Sequence, residues 1–253
     1  MSITRIQQKH GSTGVYAQTS TIWTINLNSN PQTGNCLLLY LCSKTSLTIS
    51  SIVQGGSSAA WSLLTSQSAT NRFTYIYALP NVPSGSTSTI TMTLGVGAAL
   101  WCTIIEEVRG LTTSSVLDQT STANGTTTNT YTTGTTSATT TTEGYWVNIY
   151  DYYNASLGTD AAGSSPTNGY TIYSAGNPVI QGSAGWVGDV ASMQPPFNDS
   201  FGMIVAYKTV TTTGTAGGNI TDSNATSSNY LGIAIALKGS GRADRRKVTA
   251  SFM

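Results

Sequence analysis

Hydrophobic and polar residues form short runs along the chain, and turn residues separate these runs. Runs of this length that are rich in β-branched and aromatic side chains are typical of strands in a β-sandwich or barrel. The clearest strand candidates are 21–27, 36–43, 47–54, 61–67, 73–79, 88–94, 145–153, 202–210 and 230–237. Weaker candidates are 116–122, 128–140, 170–174 and 185–191. The pattern predicts an all-β protein.

Pairs of turn-forming residues lie between most of these candidates. They are Asn30-Pro31, Gly55-Gly56, Asn124-Gly125, Asn168-Gly169, Asn177-Pro178 and Gly217-Gly218, together with the stretch 80–85. Glycine and asparagine tolerate a positive φ and proline fixes φ, so these residues suit tight turns. We therefore expect the chain to reverse direction at these positions.

Three segments need separate interpretation. In the last candidate, large residues at 231, 233, 235 and 237 alternate with small ones at 232, 234 and 236, which predicts a central strand buried on both faces. Segment 98–108 has apolar residues at helical spacing, but its β-branched residues favour a strand, and we predict a strand. The threonine-rich tract 126–142 predicts a solvent-facing hairpin or edge strand, because threonine has high β-propensity.

Composition narrows the class of protein further. Of 253 residues only 21 are charged, while 43 are Thr and 32 are Ser. The charged fraction of 8% compares with about 25% in average globular proteins, which argues against a coiled coil or a basic nucleic-acid binder. A net charge of +1 with 13 Tyr and 5 Trp favours folding over disorder. We predict one large domain over 20–238, flanked by an N-terminal arm (1–19) and a C-terminal arm (239–253).

Targeting signals are not visible in the sequence. The longest uncharged, apolar-leaning stretch, 94–105, is shorter than the ~20 residues of a spanning helix, and the N-terminus lacks the apolar segment of a secretory signal.

Cys36, Cys42 and Cys102 lack metal-type spacing and are predicted to be buried free thiols. A protein of extracellular composition without an export signal suits a virion component, made in the host cytoplasm and released by lysis.

Five successive segments carry a family resemblance. They are GNCLLLYLCS (34–43), LTISSIVQGGSSAAWSLL (47–64), FTYIYALPNVPSGSTSTITMTL (73–94), CTIIEEVRGLTTSSVLDQTSTANGTTT (102–128) and EGYWVNIYDYY (143–153). This succession resembles a jelly-roll β-sandwich family of bacteriophage virion proteins and bacterial surface proteins, over about residues 20–240. The resemblance implies a jelly-roll-like antiparallel β-sandwich that serves decoration, fibre or adhesion roles and has no active site.

Catalytic chemistry has little support in the sequence. The single histidine, His10, lies in the polar N-terminal arm, and no G-x-S-x-G elbow is present. Glu106, Glu107 and Asp151 are the carboxylates that a glycosidase could use, but neighbours on a strand point to opposite faces, so Glu106 and Glu107 cannot act together. We interpret Glu107 and Arg109 as a local ion pair or strand-end contact. We therefore predict no catalytic residue, no metal site and no cofactor.

Aromatic residues offer one alternative site. Trp and Tyr rings stack on sugars, and Tyr152, Tyr153, Tyr170 and Trp186 are the candidates for a glycan platform near loops. The competing interpretation places the aromatic residues of segment 145–153 in the core and in interfaces, since both faces of this strand are rich in apolar residues.

The C-terminal arm differs in composition from the rest of the chain. Residues 1–238 carry 7 basic and 9 acidic groups, whereas residues 239–253 carry 4 basic and 1 acidic group. A frayed, solvated tail is one interpretation. The other is docking on an acidic partner, with contact residues in the two arms at Arg5, Lys9, Arg242, Arg245, Arg246, Lys247 and Phe252. Nucleic acid is a weaker partner, because four charges give a small counterion-release effect.

These observations together predict a non-enzymatic virion structural protein, a bacteriophage capsid decoration or cement protein. Its partners would be the major capsid protein or another virion protein and further copies of itself in a homo-oligomer, without a membrane. The alternative function is a glycan- or host-receptor-binding module of a tail fibre or a cell-surface protein.

Overall fold

The structure, a computed structural model, describes residues 2–12, 21–70, 72–95, 101–128, 130–154, 165–166, 171–172, 200–221 and 228–241. The regular secondary structure of these residues is entirely β, which confirms the predicted all-β class. All pairings between the sixteen strands are antiparallel. Within the same ranges there is no helix with the length and apolarity to cross a membrane.

The first eight strands form two sheets. They are β1 (Thr4–Ser12), β2 (Ile22–Asn26), β3 (Cys36–Ser43), β4 (Ile49–Gln54), β5 (Ser62–Ala69), β6 (Arg72–Leu79), β7 (Thr89–Leu94) and β8 (Trp101–Arg109). Five of them, in the order β1-β8-β3-β6-β5, make a sheet that we call inner sheet 1. The other three, in the order β2-β7-β4, make outer sheet 1. Segment 98–108, for which we predicted a strand, lies largely in β8.

The next eight strands form two more sheets. They are β9 (Leu117–Thr128), β10 (Thr130–Thr132), β11 (Gly144–Asn154), β12 (Ser165–Pro166), β13 (Thr171–Ile172), β14 (Ser200–Val210), β15 (Asn219–Thr221) and β16 (Ser228–Lys238). Inner sheet 2 has the order β9-β16-β11-β14-β13, and outer sheet 2 has the order β10-β15-β12. Adding eight to every strand number of the first set gives the order of the second set, so one topology occurs twice along the chain.

Buried apolar clusters define how the four sheets stack. One cluster joins inner sheet 1 to outer sheet 1, with Leu37, Leu39 and Leu41 against Trp23 and Met92. A second and larger cluster joins the two inner sheets, with residues such as Leu38, Tyr40, Val147 and Ile233. Two smaller clusters join inner sheet 2 to outer sheet 2. The layers therefore follow one another as outer sheet 1, inner sheet 1, inner sheet 2 and outer sheet 2.

The two inner sheets pack face to face. β5, at one edge of inner sheet 1, lies against β9 and β16, while β8 lies against β14. The edge strands β5 and β9 therefore come together at one side of the two sheets.

Strands at the centre of the inner sheets are buried on both faces. All eight residues of β3 are buried, and its side chains alternate between the two large clusters. In β16 the odd-numbered residues 231–237 enter the cluster between the inner sheets, as the sequence predicted. The small residues face outer sheet 2, and a Cβ added to Gly232 would lie 2.0 Å from the carbonyl oxygen of Thr132. Small side chains there let the backbone of outer sheet 2 approach closely.

The threonine-rich tract contributes to the edge strands β9 and β10, in line with the predicted edge strand, but its middle part is buried instead of facing solvent. Residues 126–128 end β9 and Thr130–Thr132 form β10, while segment 133–139 covers inner sheet 2 with Thr133, Thr136 and Thr139 buried. At each of these three positions the amide donates to the carbonyl of one residue, and the side-chain oxygen accepts from the amide of that same residue, Gly218, Ala216 and Gly214 respectively. These paired hydrogen bonds satisfy a buried backbone, so threonine here serves the interior.

Two further differences concern chain ends and turns. Residues 4–12 of the predicted N-terminal arm form edge strand β1, paired with β8. At the other end, Gly239 and Ser240 donate backbone hydrogen bonds to Glu143 and Gly110, so the ordered fold continues into the predicted C-terminal arm.

Asn124-Gly125 is not a turn but lies within β9. Asn168-Gly169, Asn177-Pro178 and the candidate strand 185–191 lie outside the described residues.

Candidate functional site

The interior of the fold contains the carboxylates that the sequence marked as chemical candidates. Glu106, Glu107 and Asp151 are all fully buried. A buried charge is costly unless it is paired or hydrogen-bonded, so the partners of each group decide what it can do. Each of the three has partners in the structure, and their surroundings differ.

Glu106 lies between the two inner sheets and joins them. The hydroxyl of Tyr40, in β3 of the first set, donates to Glu106 Oε1. The hydroxyl of Tyr145, in β11 of the second set, donates to Oε2 at 2.9 Å. Burial raises the pKa of Glu106, and the two hydroxyls and Arg5 act in the opposite direction without cancelling the effect of burial. Burial, followed by the charge of Glu106, also raises the pKa of both tyrosines.

Asp151 forms a second link between the strand sets. Arg72 Nη1, at the start of β6, donates to Asp151 Oδ1 of β11 at 2.5 Å. The hydroxyl of Thr74 donates to Oδ2 at 3.1 Å. Both charged side chains are buried, and burial raises the pKa of Asp151, while Arg72 and Thr74 oppose that shift. The ion pair connects β6 of the first strand set to β11 of the second. Removing either member would leave the other as an unpaired buried charge.

Glu107 occupies the opposite face of β8 and binds the loop before β3 and strand β1 instead. Its Oε1 accepts from Asn35 Nδ2 at 2.5 Å and from the Gln32 amide at 2.8 Å, and its Oε2 accepts from Gln7 Nε2 at 2.6 Å. These bonds hold the loop before β3 and strand β1, so of our two interpretations of Glu107 they fit the strand-end contact and not the ion pair with Arg109. Glu106 and Glu107 face different clusters, as the alternation of a strand requires.

A cleft opens where the edges of the two inner sheets meet. Its volume is about 550 Å³, and it is lined by Ala69, Thr70, Arg72, Asn124, Gly125, Thr126, Asn229 and Tyr230. Thr70, Asn124, Thr126 and Asn229 form an exposed rim, while Arg72 and Tyr230 form a buried floor. The lining comes from both strand sets, at β5 and β6 on one side and β9 and β16 on the other. It is the candidate functional site of the described structure.

Local distortion of β9 shapes one wall of the cleft. The register of β9 and β16 shifts between Ser228 and Tyr230, which places an extra residue of β9 opposite this stretch. Bulges of this kind re-aim side chains and are frequent next to binding sites. Gly125 lies opposite Tyr230, and a Cβ there would come within 2.5 Å of the tyrosine ring. The glycine therefore lets the ring lie flat against β9, where Tyr131 packs on it at 5.3 Å between centroids.

The predicted glycan platform lies partly beside this cleft. In the register of β11 and β16, Tyr152 pairs with Tyr230 and Tyr153 pairs with Asn229. The backbone of two predicted residues thus adjoins two lining residues. Tyr170 and Trp186 lie outside the described residues.

The predicted contact residues of the two arms have separate outcomes. Arg5 is half-buried on β1, with its guanidinium 4.4 Å from the ring centroid of Tyr207 in the second strand set. It therefore contributes to contact within the chain. Lys9 lies on the same strand, opposite Ile105. Arg242, Arg245, Arg246, Lys247 and Phe252 lie outside the described residues, and their role as partner contacts stays a prediction.

The lining residues were missed by sequence reasoning. Asn124 and Gly125 resembled a turn, and Asn229 and Thr70 carry no motif. The available signal was Arg72 itself, an isolated charged residue at the start of an apolar strand in a chain with 8% charge.

In the described part of the chain, Cys36 and Cys42 are buried free thiols, and no three His, Cys, Asp or Glu side chains are grouped to hold a metal ion.

Comparisons with known proteins do not add to this geometry. No protein-family model, no curated protein and no solved structure matches the chain.

Proposed function

We propose that this chain is a non-enzymatic structural protein of a bacteriophage particle, which decorates or cements the capsid through protein–protein adhesion. Its partner is the major capsid protein or another virion protein, and further copies of the chain form a homo-oligomer with it. The observation that carries the proposal is the strand order that occurs twice, β1-β8-β3-β6-β5 with β2-β7-β4 and then the same order eight strands later.

This order supports a jelly-roll β-sandwich for each strand set. A jelly roll places its first, eighth, third and sixth strands in one sheet and its second, seventh, fourth and fifth in the other, and it is common in viral capsid proteins. Both sets follow that rule except that the fifth strand pairs with the sixth. On this interpretation the region 20–238 contains two jelly-roll units. Since a fold hosts many functions, the strand order supports the virion role by analogy.

The described surface suits adhesion between proteins. Ile22, Val53 and Leu63 are large apolar residues with about half of their surface exposed (57%, 46% and 49%). Strands β5 and β9 are sheet edges, and β9 runs for 12 residues with Asp118 as its one charged side chain. A long edge without lysine or proline can pair with another chain. A net charge of +1 leaves little repulsion between neighbouring copies.

An add-back experiment tests the proposal. Particles that lack this protein are mixed with the purified chain, sedimented, and heated while genome release is followed. We expect the chain to sediment with the particles at saturating copy number and to raise the temperature of genome release. Absence of co-sedimentation over a wide range of concentration would contradict the adhesion function.

Truncation in the same assay tests the basic tail. The deletion should begin after Gly241, because Gly239 and Ser240 are hydrogen-bonded into the fold. We expect loss of residues 242–253 to weaken binding most at low salt, since attraction between charges is screened at high salt. A matched variant with Arg242, Arg245, Arg246 and Lys247 replaced by serine keeps the length and separates charge from contact area. Unchanged binding by both proteins would refute docking through the tail.

A further inference from the structure

We propose that the cleft between β5, β6, β9 and β16 binds a neutral saccharide unit of a glycan. The inference goes beyond the structural role and does not depend on it, since a cement protein and a fibre protein could both carry such a site. The cleft has a volume of about 550 Å³, which is within the range of small-ligand sites, about 300–1,000 Å³. Such sites are frequent where two folding units meet, as the two strand sets do here.

The chemistry of the rim matches hydroxyl groups. Asn124 and Asn229 each present an amide that can donate and accept, and Thr70 and Thr126 present hydroxyls that can do both. All four side chains are exposed and converge on one opening from the two strand sets. A sugar hydroxyl also donates and accepts at once, so adjacent hydroxyls on a ring can satisfy such a rim.

The floor favours a neutral ligand over an anion. Arg72 is the charged residue of the lining, and its guanidinium is held by Asp151 at 2.5 Å behind the cleft. The pair has no net charge, so the floor lacks a field that would select a carboxylate or phosphate. Asp151 is also fully buried, and no carboxylate occurs among the described lining residues. Glycoside hydrolysis requires two carboxyl groups at the bond, so this geometry suits binding without cleavage.

Tyr230 lines the cleft from β16, and its ring packs on Tyr131 in the cluster between inner sheet 2 and outer sheet 2. This wall of the cleft is therefore formed before a ligand arrives, which lowers the entropic cost of binding.

A glycan array on the full-length chain, followed by titration of the strongest hit and its free monosaccharides by ligand-observed NMR, tests the proposal. We expect selective binding of neutral saccharides. Asn124→Ala and Asn229→Ala should each weaken the affinity about fivefold or more, as expected for the loss of a hydrogen bond to the ligand. Both side chains are exposed, so thermal unfolding should change little.

Thr122→Ala is the matched control, because Thr122 is exposed on the same strand and lies outside the lining. It should bind like the unmodified chain. The proposal is overturned if no saccharide binds above background, if the hit binds equally to Asn124→Ala and Asn229→Ala, or if Thr122→Ala loses as much affinity as they do. A clear preference for an anionic saccharide over its neutral counterpart would overturn the neutral-ligand assignment.

Discussion

Glu106 shows how single residues connect the two halves of this fold. Its carboxyl group is buried between the inner sheets, and it takes one hydroxyl donor from each strand set. A carboxylate there costs free energy because of desolvation, and the two hydroxyls recover part of that cost. The sequence drew attention to the Glu106-Glu107 pair, but not to the partners of Glu106. Tyr40 and Tyr145 are 66 and 39 residues away from it, so only the packing of distant strands brings them together.

The raised pKa of Glu106 predicts a pH dependence of stability. Below the ordinary pKa of 4.5 the group is protonated in both folded and unfolded chains. As the pH rises above 4.5, the unfolded chain releases its proton first, so the free energy of unfolding falls until the pH passes the folded pKa. Glu106→Gln lacks this proton and should lose less stability over the same window. Asp151 acts in the same direction, but it is present in both proteins.

Urea unfolding of the two proteins at a series of pH values between about 4 and 8 measures this difference. We expect the stability of the wild type relative to Glu106→Gln to fall as the pH rises. Parallel curves across the whole range would show that Glu106 has an ordinary pKa in the folded chain. Tyr145→Phe removes one donor and should destabilise the protein more at high pH than at low pH.

Individual strands were the most predictable part of the structure. Residues 36–43, 73–79 and 145–153 were each located to within one residue at either end, because long runs of apolar and aromatic residues between turns are characteristic of buried strands. The threonine-rich tract was misjudged, since propensity indicates extended structure but not which side faces water. Thr133, Thr136 and Thr139 are buried because their hydroxyls replace the backbone partners that an ordinary sheet would provide. Asn124-Gly125 misled for a related reason, because a glycine needed for packing looks the same in sequence as one needed for a turn.

The threonine hydrogen bonds can be tested with two isosteric substitutions. Thr136→Val removes the oxygen that accepts from the Ala216 amide at 2.9 Å and leaves that buried donor unsatisfied. We expect a loss of about 1–3 kcal/mol in the free energy of unfolding. Thr135→Val, at the exposed neighbouring position, should change stability by less than about 0.5 kcal/mol. Equal effects of the two substitutions in chemical denaturation would contradict the structural role of the buried hydroxyls.

At the scale of the molecule, the chain contains one topology twice. The sequence predicted a single domain over 20–238, because the two strand sets share the order of their strands rather than their residues. Strand order depends on which distant segments pair, and local pattern carries no information on that choice. The cleft was missed for the same reason. Its rim takes Thr70 from one set and Asn124 and Asn229 from the other.

The Arg72–Asp151 pair offers a test of the contact between the strand sets. Arg72→Met leaves Asp151 buried without a counter-charge, and we expect a loss of about 3–5 kcal/mol. Asp151→Leu should cost a similar amount, whereas the double variant should recover much of it, since two apolar residues replace the pair. A double-mutant cycle from denaturant unfolding measures the coupling. Additive losses would show that the two side chains do not interact across the sets.

The proposed function makes a direct claim about where the protein is found and in what number. Mass spectrometry of purified phage particles from cells that make this chain, with copy number calibrated against the major capsid protein, tests it. A capsid decoration or cement protein should be present in hundreds of copies per particle, in a fixed ratio to the capsid protein. A few copies per particle would place the chain in a tail or fibre, and its absence from particles would contradict a virion function altogether.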